Sequence, residues 1–228
     1  MSAGVQATVV PGPAGAIEVR WQAPEREAPE DAPASPPALV AIIAHPHPLY
    51  GGAMDNKVVT TLARLYRRLG AVAVRFNFRG VGGSAGVHDE GRGEVDDLLA
   101  VARWTKQQWP DAALLLAGYS FGSAIAAAAS EQLDARHLAL IAPPVERYPY
   151  APRGDFACPT TVVLGSADEL VDADAVAAWA ATRAAVGRVI LLPAASHFFH
   201  GELVALEREL APAVAAALDG VGAPPPVS

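Results

Sequence analysis

The chain has 228 residues, 52% of them hydrophobic and 18% charged, which is the composition of a folded globular protein and excludes a disordered one. Its formal charge of -7 argues against nucleic acid or an anionic membrane as a partner. A single cysteine, Cys158, excludes an intrachain disulfide and a cysteine-based metal site. The N-terminus has no basic segment followed by an apolar one, so we expect a cytoplasmic protein without a signal peptide.

The predicted elements begin with a strand pair, residues 6–10 and 17–22, joined by a turn at 11–15. Residues 23–37 are rich in proline and acidic side chains, and we expect a surface loop there. From residue 39 onward strands and helices alternate: strands at 39–44, 71–77, 113–117, 138–142, 160–164 and 188–192, and helices at 56–69, 94–109, 172–185 and 202–218. Residues 221–228 form a tail.

This alternation predicts an α/β fold, with a mostly parallel sheet covered by helices on both faces. The length suits one domain over residues 1–228. In such sheets the reactive groups gather where the strands end, at their carboxyl side. The residues that follow each strand are therefore the candidate site.

Residues 118–122 read Gly-Tyr-Ser-Phe-Gly, a G-x-S-x-G motif between an apolar strand and an alanine-rich helix. A strand that reverses sharply into a helix strains its central residue and leaves little room beside it, which favours glycine on either side. The hydroxyl of Ser120 is then exposed at a helix N-terminus, which favours developing negative charge. The alternative is a glycine-rich turn with an incidental serine. The turn residues also argue against a membrane span over residues 112–129.

Two further strand ends complete a possible triad, because Asp168 follows the strand at 160–164 and His197 follows the strand at 188–192. A serine hydroxyl needs a histidine to take its proton, and the histidine needs a carboxylate to fix its tautomer. The order Ser, Asp, His is that of an α/β-hydrolase. Asp168 and His197 have nearby rivals in Glu169, Asp172, Asp174 and His200, of which Asp172 is expected to cap the next helix.

Residues 38–200 resemble the α/β-hydrolase superfamily. The stretches His-Pro-His-Pro-Leu-Tyr-Gly-Gly at 45–52 and Phe-Asn-Phe-Arg-Gly-Val-Gly-Gly-Ser at 76–84 resemble more narrowly a group of small bacterial serine hydrolases that lack a lid. The resemblance implies a minimal α/β-hydrolase fold and carboxylesterase-like activity. It leaves the natural substrate undefined.

The resemblance places residues 45–52 at the oxyanion loop, which must supply one of two N–H groups to the tetrahedral intermediate. The amide of Phe121 is the expected first donor. Because prolines have no N–H, the second donor is the amide of His47 or Leu49, and the superfamily position favours His47. The alternative, that His45 and His47 bind a metal, lacks further ligands nearby.

Other polar residues receive structural roles. Arg79 and the glycines after it lack the Gly-Lys-Ser/Thr ending of a phosphate loop, so we expect Arg79 to bond neighbouring loops. Surface or loop positions are expected for His88, Asp89 and His137. The connection at 143–159 carries five prolines and is expected to form an irregular rim in place of a lid.

We therefore expect a serine hydrolase that acts on a small-molecule acyl compound without cofactor or metal. Ser120 attacks, His197 transfers the proton, Asp168 orients His197, and Phe121 with His47 or Leu49 holds the oxyanion. A thioesterase or a peptidase of the same fold is an alternative within the same chemistry. A hydrolase-fold binding protein without turnover is the alternative from another class.

Overall fold

An eight-stranded sheet runs through the centre of the computed structural model, which describes residues 4–25, 36–152 and 154–218. The strand order is β1-β2-β4-β3-β5-β6-β7-β8. At one edge β1 pairs with β2 and β2 pairs with β4, both antiparallel, and all the other pairs are parallel. The strands are β1 (Gln6–Gly12), β2 (Gly15–Gln22), β3 (Leu39–Ala44), β4 (Ala71–Phe76), β5 (Ala113–Tyr119), β6 (Ala135–Ile141), β7 (Thr160–Gly165) and β8 (Val186–Leu192).

Helices cover both faces of this sheet, so the predicted α/β-hydrolase fold is confirmed. The helices are α1 (Lys57–Arg68), α2 (Arg92–Gln108), α3 (Phe121–Ser130), α4 (Ala173–Ala181) and α5 (Leu203–Leu218), with a short 3-10 helix at Pro48–Tyr50. One apolar core lies between the sheet and α1 with α5, and a second lies beneath α2, α3 and α4. The strands of the centre are buried on both sides, as their continuous apolar sequences require.

Several predicted boundaries differ from those in the structure. The first turn narrows to residues 13–14, because Pro11 and Gly12 still pair with β2. Pro11 is tolerated there because β1 is an edge strand. β6 begins at Ala135, three residues earlier than predicted, because its polar residues hid the start of the strand. The predicted helix at 172–185 ends early at Ala181.

The connection between β6 and β7 forms no lid, as predicted. Its described residues contain turns and bends and no helix. Tyr150 and Phe156 are buried and lie with their ring centroids 5.4 and 6.1 Å from the Trp179 ring, which ties the connection to α4. The site at the strand ends therefore has no second layer above it.

Two predicted segments fall on parts of the chain outside the described residues. These are most of the loop at 23–37, of which 26–35 are not described, and the tail at 221–228. Within the described ranges, no helix has both the length and the apolar character that crossing a bilayer requires. Residues 112–129, whose hydropathy is high, contribute to β5 and α3 instead.

The prediction that His137 lies on the surface or in a loop is wrong. His137 lies inside β6 and is only 1% exposed. Its Nε2 atom forms a 2.9 Å hydrogen bond with the Thr161 hydroxyl on β7, and its Nδ1 atom has no partner within the described residues. Burial lowers the pKa of His137 to about 4, so the ring is neutral in the folded protein at neutral pH.

We expect the free energy of unfolding to fall as the pH drops from about 6.5 to about 4, partly because of His137. In this window the unfolded chain takes up a proton on His137 that the folded chain does not accept. The stabilising contribution is therefore complete above the unfolded pKa and is lost progressively below it. At about 1.4 kcal/mol per pKa unit, the loss approaches ~3 kcal/mol at the acid end.

Urea unfolding at several pH values measures this dependence. In the variant His137→Gln the decline between pH 6.5 and pH 4 should be shallower than in the wild type, whatever the variant's stability at pH 7.5. Equal declines in the two proteins would show that His137 titrates normally in the folded state.

Candidate active site

The G-x-S-x-G motif forms the turn from β5 into α3, with Ser120 at its centre. Ser120 has φ 53° and ψ -121°, a strained conformation for a residue with a side chain. A Cβ atom at Gly118 would collide with the backbone of Gly122, and one at Gly122 with the carbonyl oxygens of Ala44 and His45. The two glycines are thus required by close backbone approach, and this approach places Ser120 beside the end of β3.

The structure brings Ser120, Asp168 and His197 together from the ends of β5, β7 and β8. The Nε2 atom of His197 lies 3.0 Å from the Ser120 hydroxyl, and its Nδ1 atom lies 2.9 Å from Oδ2 of Asp168. The His197 and Asp168 side chains are 5% and 1% exposed. In this geometry the serine hydroxyl donates to Nε2 while Nδ1–H donates to the carboxylate. The ring can therefore accept the hydroxyl proton when the serine attacks an electrophile.

Asp168 is held from a second direction. Its Oδ1 atom accepts hydrogen bonds from the amides of Leu170 and Val171, at 2.9 and 2.8 Å. Two backbone donors fix the carboxylate plane, so Oδ2 points at the His197 ring without rotating away. The carboxylate of Asp168 is thus fixed in contact with Nδ1 of His197.

The rivals of Asp168 and His197 occupy other positions. Asp172 caps the start of α4 by accepting hydrogen bonds from two amides of its first turn, as predicted, and Asp174 lies within that turn. His200 is exposed, precedes α5 and stacks on Phe198 with ring centroids 5.7 Å apart. None of the three contacts the Ser120 hydroxyl.

Two residues hold the backbone of His197, Tyr119 and the rival carboxylate Glu169, and the sequence predicted this role for neither. The Tyr119 hydroxyl donates to the His197 carbonyl oxygen at 2.9 Å, and Oε2 of Glu169 accepts from the His197 amide at 3.0 Å. Burial, followed by the charges of Asp168 and Glu169, raises the pKa of Tyr119, which keeps its hydroxyl protonated as a donor. His197 is thus held through its ring and through its backbone amide and carbonyl groups.

The three candidate oxyanion donors differ in whether their amides already donate a hydrogen bond. The N–H groups of Phe121 and His47 donate to no acceptor in the described part of the chain, and their rings lie 4.8 Å apart. The Leu49 amide instead donates to Nδ1 of His47 at 3.2 Å. Within the described residues the amides of Phe121 and His47 are therefore available to an oxyanion, whereas the Leu49 amide is engaged.

His45 anchors the loop that carries His47. Its Nε2 atom accepts a 3.0 Å hydrogen bond from the Phe78 amide, and its Nδ1 atom lies 2.6 Å from the Pro46 carbonyl oxygen. Burial lowers the pKa of His45 to about 4, which keeps the ring neutral. Because both ring nitrogens are engaged within the protein, His45 does not form a metal-binding pair with His47.

Arg79 has the structural role that the sequence predicted. It binds Asp97 through two nitrogens, at 2.8 and 3.0 Å, and donates to the Gly93 carbonyl oxygen at 2.6 Å. In the same loop the Gly83 amide donates to the Glu18 carboxylate at 2.9 Å. These bonds tie the glycine-rich loop to α2 and β2, and they use groups that a phosphate loop would offer to its ligand.

His88 lies in the loop before α2, as predicted, although its side chain is largely buried. Its side chain is 7% exposed, and its Nδ1 atom lies 2.8 Å from Oε1 of Glu94. The His88 ring lies 4.8 Å from the His47 ring and 5.7 Å from the Phe121 ring. Asp89 lies in the same loop and is partly exposed, as predicted. His88 therefore belongs to the surroundings of the oxyanion candidates.

Comparisons with known proteins agree with this architecture. No family model matches the chain. An α/β serine hydrolase without a lid from Xanthomonas campestris is 40% identical, with a TM-score of 0.86 and 97% of each chain covered. An α/β serine hydrolase homologue from Coxiella burnetii is also 40% identical, with a TM-score of 0.82 and 91% of this chain and 96% of that chain covered. An uncharacterised protein from Rickettsia prowazekii is 38% identical over 168 residues, which cover 72% of this chain and 67% of that protein.

Proposed function

The chain belongs to the α/β serine hydrolases that lack a lid, and we propose that it hydrolyses carboxylic esters of small, soluble acyl compounds. The observation that carries the proposal is the continuous hydrogen-bonded line from Ser120 through His197 to Asp168, with contacts of 3.0 and 2.9 Å. This line supports nucleophilic attack by serine because it provides an acceptor for the hydroxyl proton and a carboxylate that stabilises the resulting imidazolium.

The reaction proceeds in two halves through an acyl-serine. In the first half Ser120 Oγ bonds to the carbonyl carbon and its proton moves to Nε2 of His197. The C–O bond of the ester then breaks, and the alcohol leaves with that proton. In the second half a water molecule gives its proton to His197 and attacks the acyl carbon, and Ser120 regains the proton as the acid leaves.

The negative charge on the carbonyl oxygen is stabilised by the amides of Phe121 and His47. Both are backbone groups in fixed segments, one at the N-terminus of α3 and one in the loop that His45 anchors. Fixed donors need no reordering as charge develops, and removal of one such donor costs roughly 10²–10³ in rate in a serine protease. No step calls on a cofactor or metal, and we propose a cytoplasmic enzyme that binds neither nucleic acid nor membrane.

Labelling with a fluorophosphonate tests for an activated serine, and a hydrolysis screen tests the bond cleaved. We expect one label per chain, at Ser120, and turnover of an ester in preference to the thioester and the amide of the same acyl group. A fully folded protein that neither labels nor hydrolyses any of the three would be a binding protein. Preference for the thioester or the amide would reassign the substrate class.

Short acyl chains should be hydrolysed better than long ones. A buried CH₂ group is worth roughly 0.8 kcal/mol, but the site has no lid to bury a long chain. Apolar side chains near the triad are open to solvent, with Leu170 46% and Phe198 47% exposed. Values of kcat/KM for p-nitrophenyl esters from acetate to palmitate measure this preference. A maximum at the longest chains, or a jump in rate above the solubility limit, would contradict it.

A further inference from the structure

A connected group of aromatic rings lies beside the proposed oxyanion site, and we call it the aromatic wall. The His47 ring is at its centre, with ring centroids 4.7 Å from Tyr50, 4.8 Å from His88 and 4.8 Å from Phe121. The Tyr148 ring meets the Phe121 ring edge-on at 5.5 Å. The wall thus joins the loop after β3, the loop before α2, the start of α3 and the connection after β6.

The position of the wall connects it to the chemistry. Phe121 directly follows the Ser120 nucleophile, and Phe121 and His47 are the residues whose amides face the proposed oxyanion. A substrate whose carbonyl oxygen accepts from these two amides is therefore bound close to the wall. The wall is a candidate subsite for one of the substrate's substituents.

The wall has a buried base and an open edge. Phe121 is 2% exposed, whereas Tyr50 is 86% exposed although it is a large aromatic side chain. Tyr148 and His47 are partly exposed. An exposed aromatic side chain joined to a buried ring at the edge of a catalytic site leaves apolar surface for a ligand to cover.

Two of the rings, those of His47 and His88, are held in place before any ligand binds. Glu94, which faces His88, is fully buried, and its two carboxylate oxygens accept from the amides of Asp89 and Gly91, each at 2.9 Å. The carboxylate cannot swing away from His88. The Leu49 amide holds the His47 ring in turn. A preformed surface loses little conformational freedom on binding.

The charges in and around the wall bear on which kind of ring it can bind. Burial, and then the neighbouring His88, lower the pKa of His47, so this ring is uncharged near pH 7. The charges nearest Tyr148 have both signs, with Arg147 opposed by Glu90 and Glu94. A neutral ring suits this surface better than an anion or a cation does.

We propose that the aromatic wall binds a neutral aromatic ring carried by the ester substrate, so that the enzyme prefers aryl-bearing esters. The inference rests on the proposed esterase function and specifies its substrate class. Aromatic rings favour edge-to-face and offset contacts with one another, worth about two- to tenfold in binding beyond the area they bury. The ring pairs within the wall are already tilted or edge-on, which is the geometry that a further ring would adopt.

Two matched ester pairs test the preference, each comparing an aromatic ring with a saturated ring of the same size. Methyl phenylacetate and methyl cyclohexylacetate place the ring on the acyl side, and benzyl acetate and cyclohexylmethyl acetate place it on the alcohol side. Each kcat/KM is divided by the rate of alkaline hydrolysis of the same ester. We expect the aromatic member of at least one pair to be favoured about three- to tenfold. A surface selective only for apolar area would favour the saturated ring.

Substitutions of Tyr50 and Tyr148 test whether the preference for aromatic esters arises at the aromatic wall. Tyr50→Leu and Tyr148→Leu remove a ring, and we expect at least one of them to bring the ratio close to one, while Tyr50→Phe and Tyr148→Phe retain it. Because Tyr50 is 86% exposed, its replacement is compatible with folding. A ratio of one or less in both pairs, or a ratio that neither leucine variant changes, would overturn the subsite while turnover of the esters leaves the esterase function intact. Failure to hydrolyse these esters and p-nitrophenyl acetate alike would overturn both proposals.

Discussion

Replacing Ser120 with alanine is expected to lower kcat/KM for a p-nitrophenyl ester by about 10⁴- to 10⁶-fold, with the fold retained. The loss is large because Ser120 supplies the only oxygen held 3.0 Å from Nε2 of His197 within the described chain. Without the Ser120 hydroxyl no acyl-enzyme forms and water must attack the ester directly. Only the oxyanion donors then continue to stabilise the transition state. Steady-state rates and fluorophosphonate labelling measure the two consequences.

Ser130→Ala is a matched control for this substitution. Ser130 lies in the same helix, α3, and its hydroxyl donates only to the Ala127 carbonyl oxygen. The control should keep the wild-type rate to within a few-fold. Alanine at position 120 keeps a Cβ atom at the strained φ of 53°, so the variant should unfold near the wild-type temperature. A Ser120→Ala protein that retained a tenth of the activity would exclude Ser120 as the nucleophile.

The fold and the reactive groups were predictable because they depend on local patterns. Apolar runs such as residues 39–44 mark buried strands, and the glycines around Ser120 mark the tight turn that follows one. The ends of parallel strands meet at one edge of a sheet, so Asp168 and His197, which follow two later strands, were expected to lie near Ser120. Each of these signals is contained within a few residues of sequence.

The one misplaced histidine depends on a partner that is distant in sequence. His137 is buried because Thr161 on the neighbouring strand satisfies one ring nitrogen, and nothing near residue 137 indicates that pairing. When the nearby sequence does not reveal a hydrogen-bond partner, a polar residue is predicted to be exposed, because burial without a hydrogen bond is costly.

The hydrogen bonds that hold the backbone of His197 could not be predicted from the sequence either. Tyr119 is 78 positions away from His197, and Glu169 is 28 positions away. Their hydrogen bonds go to the main chain of His197, so no side-chain pattern identifies them. They become visible only when the ends of β5, β7 and β8 are placed along one edge of the sheet.

Replacing Asp168 with asparagine is expected to lower kcat by roughly 10⁴-fold, with little change in shape. The hydrogen bonds around Asp168 explain why. Its Oδ1 atom accepts from the amides of Leu170 and Val171, so the asparagine carbonyl must take that position. The NH₂ group then replaces Oδ2 and donates to Nδ1 of His197, which forces the ring proton onto Nε2. A protonated Nε2 cannot accept the Ser120 proton.

Asp172→Asn is the control, because Asp172 caps α4 through the amides of Asp174 and Ala175 and asparagine is an equally good cap. Glu169→Gln keeps an acceptor for the His197 amide and is expected to reduce kcat far less than Asp168→Asn. Steady-state kcat and thermal unfolding of the three variants rank the carboxylates. Equal losses at positions 168 and 172, or a larger loss at 169, would show that the orienting carboxylate is not Asp168. The ranking in kcat thus separates the carboxylate that sets the tautomer of His197 from the one that only holds its backbone.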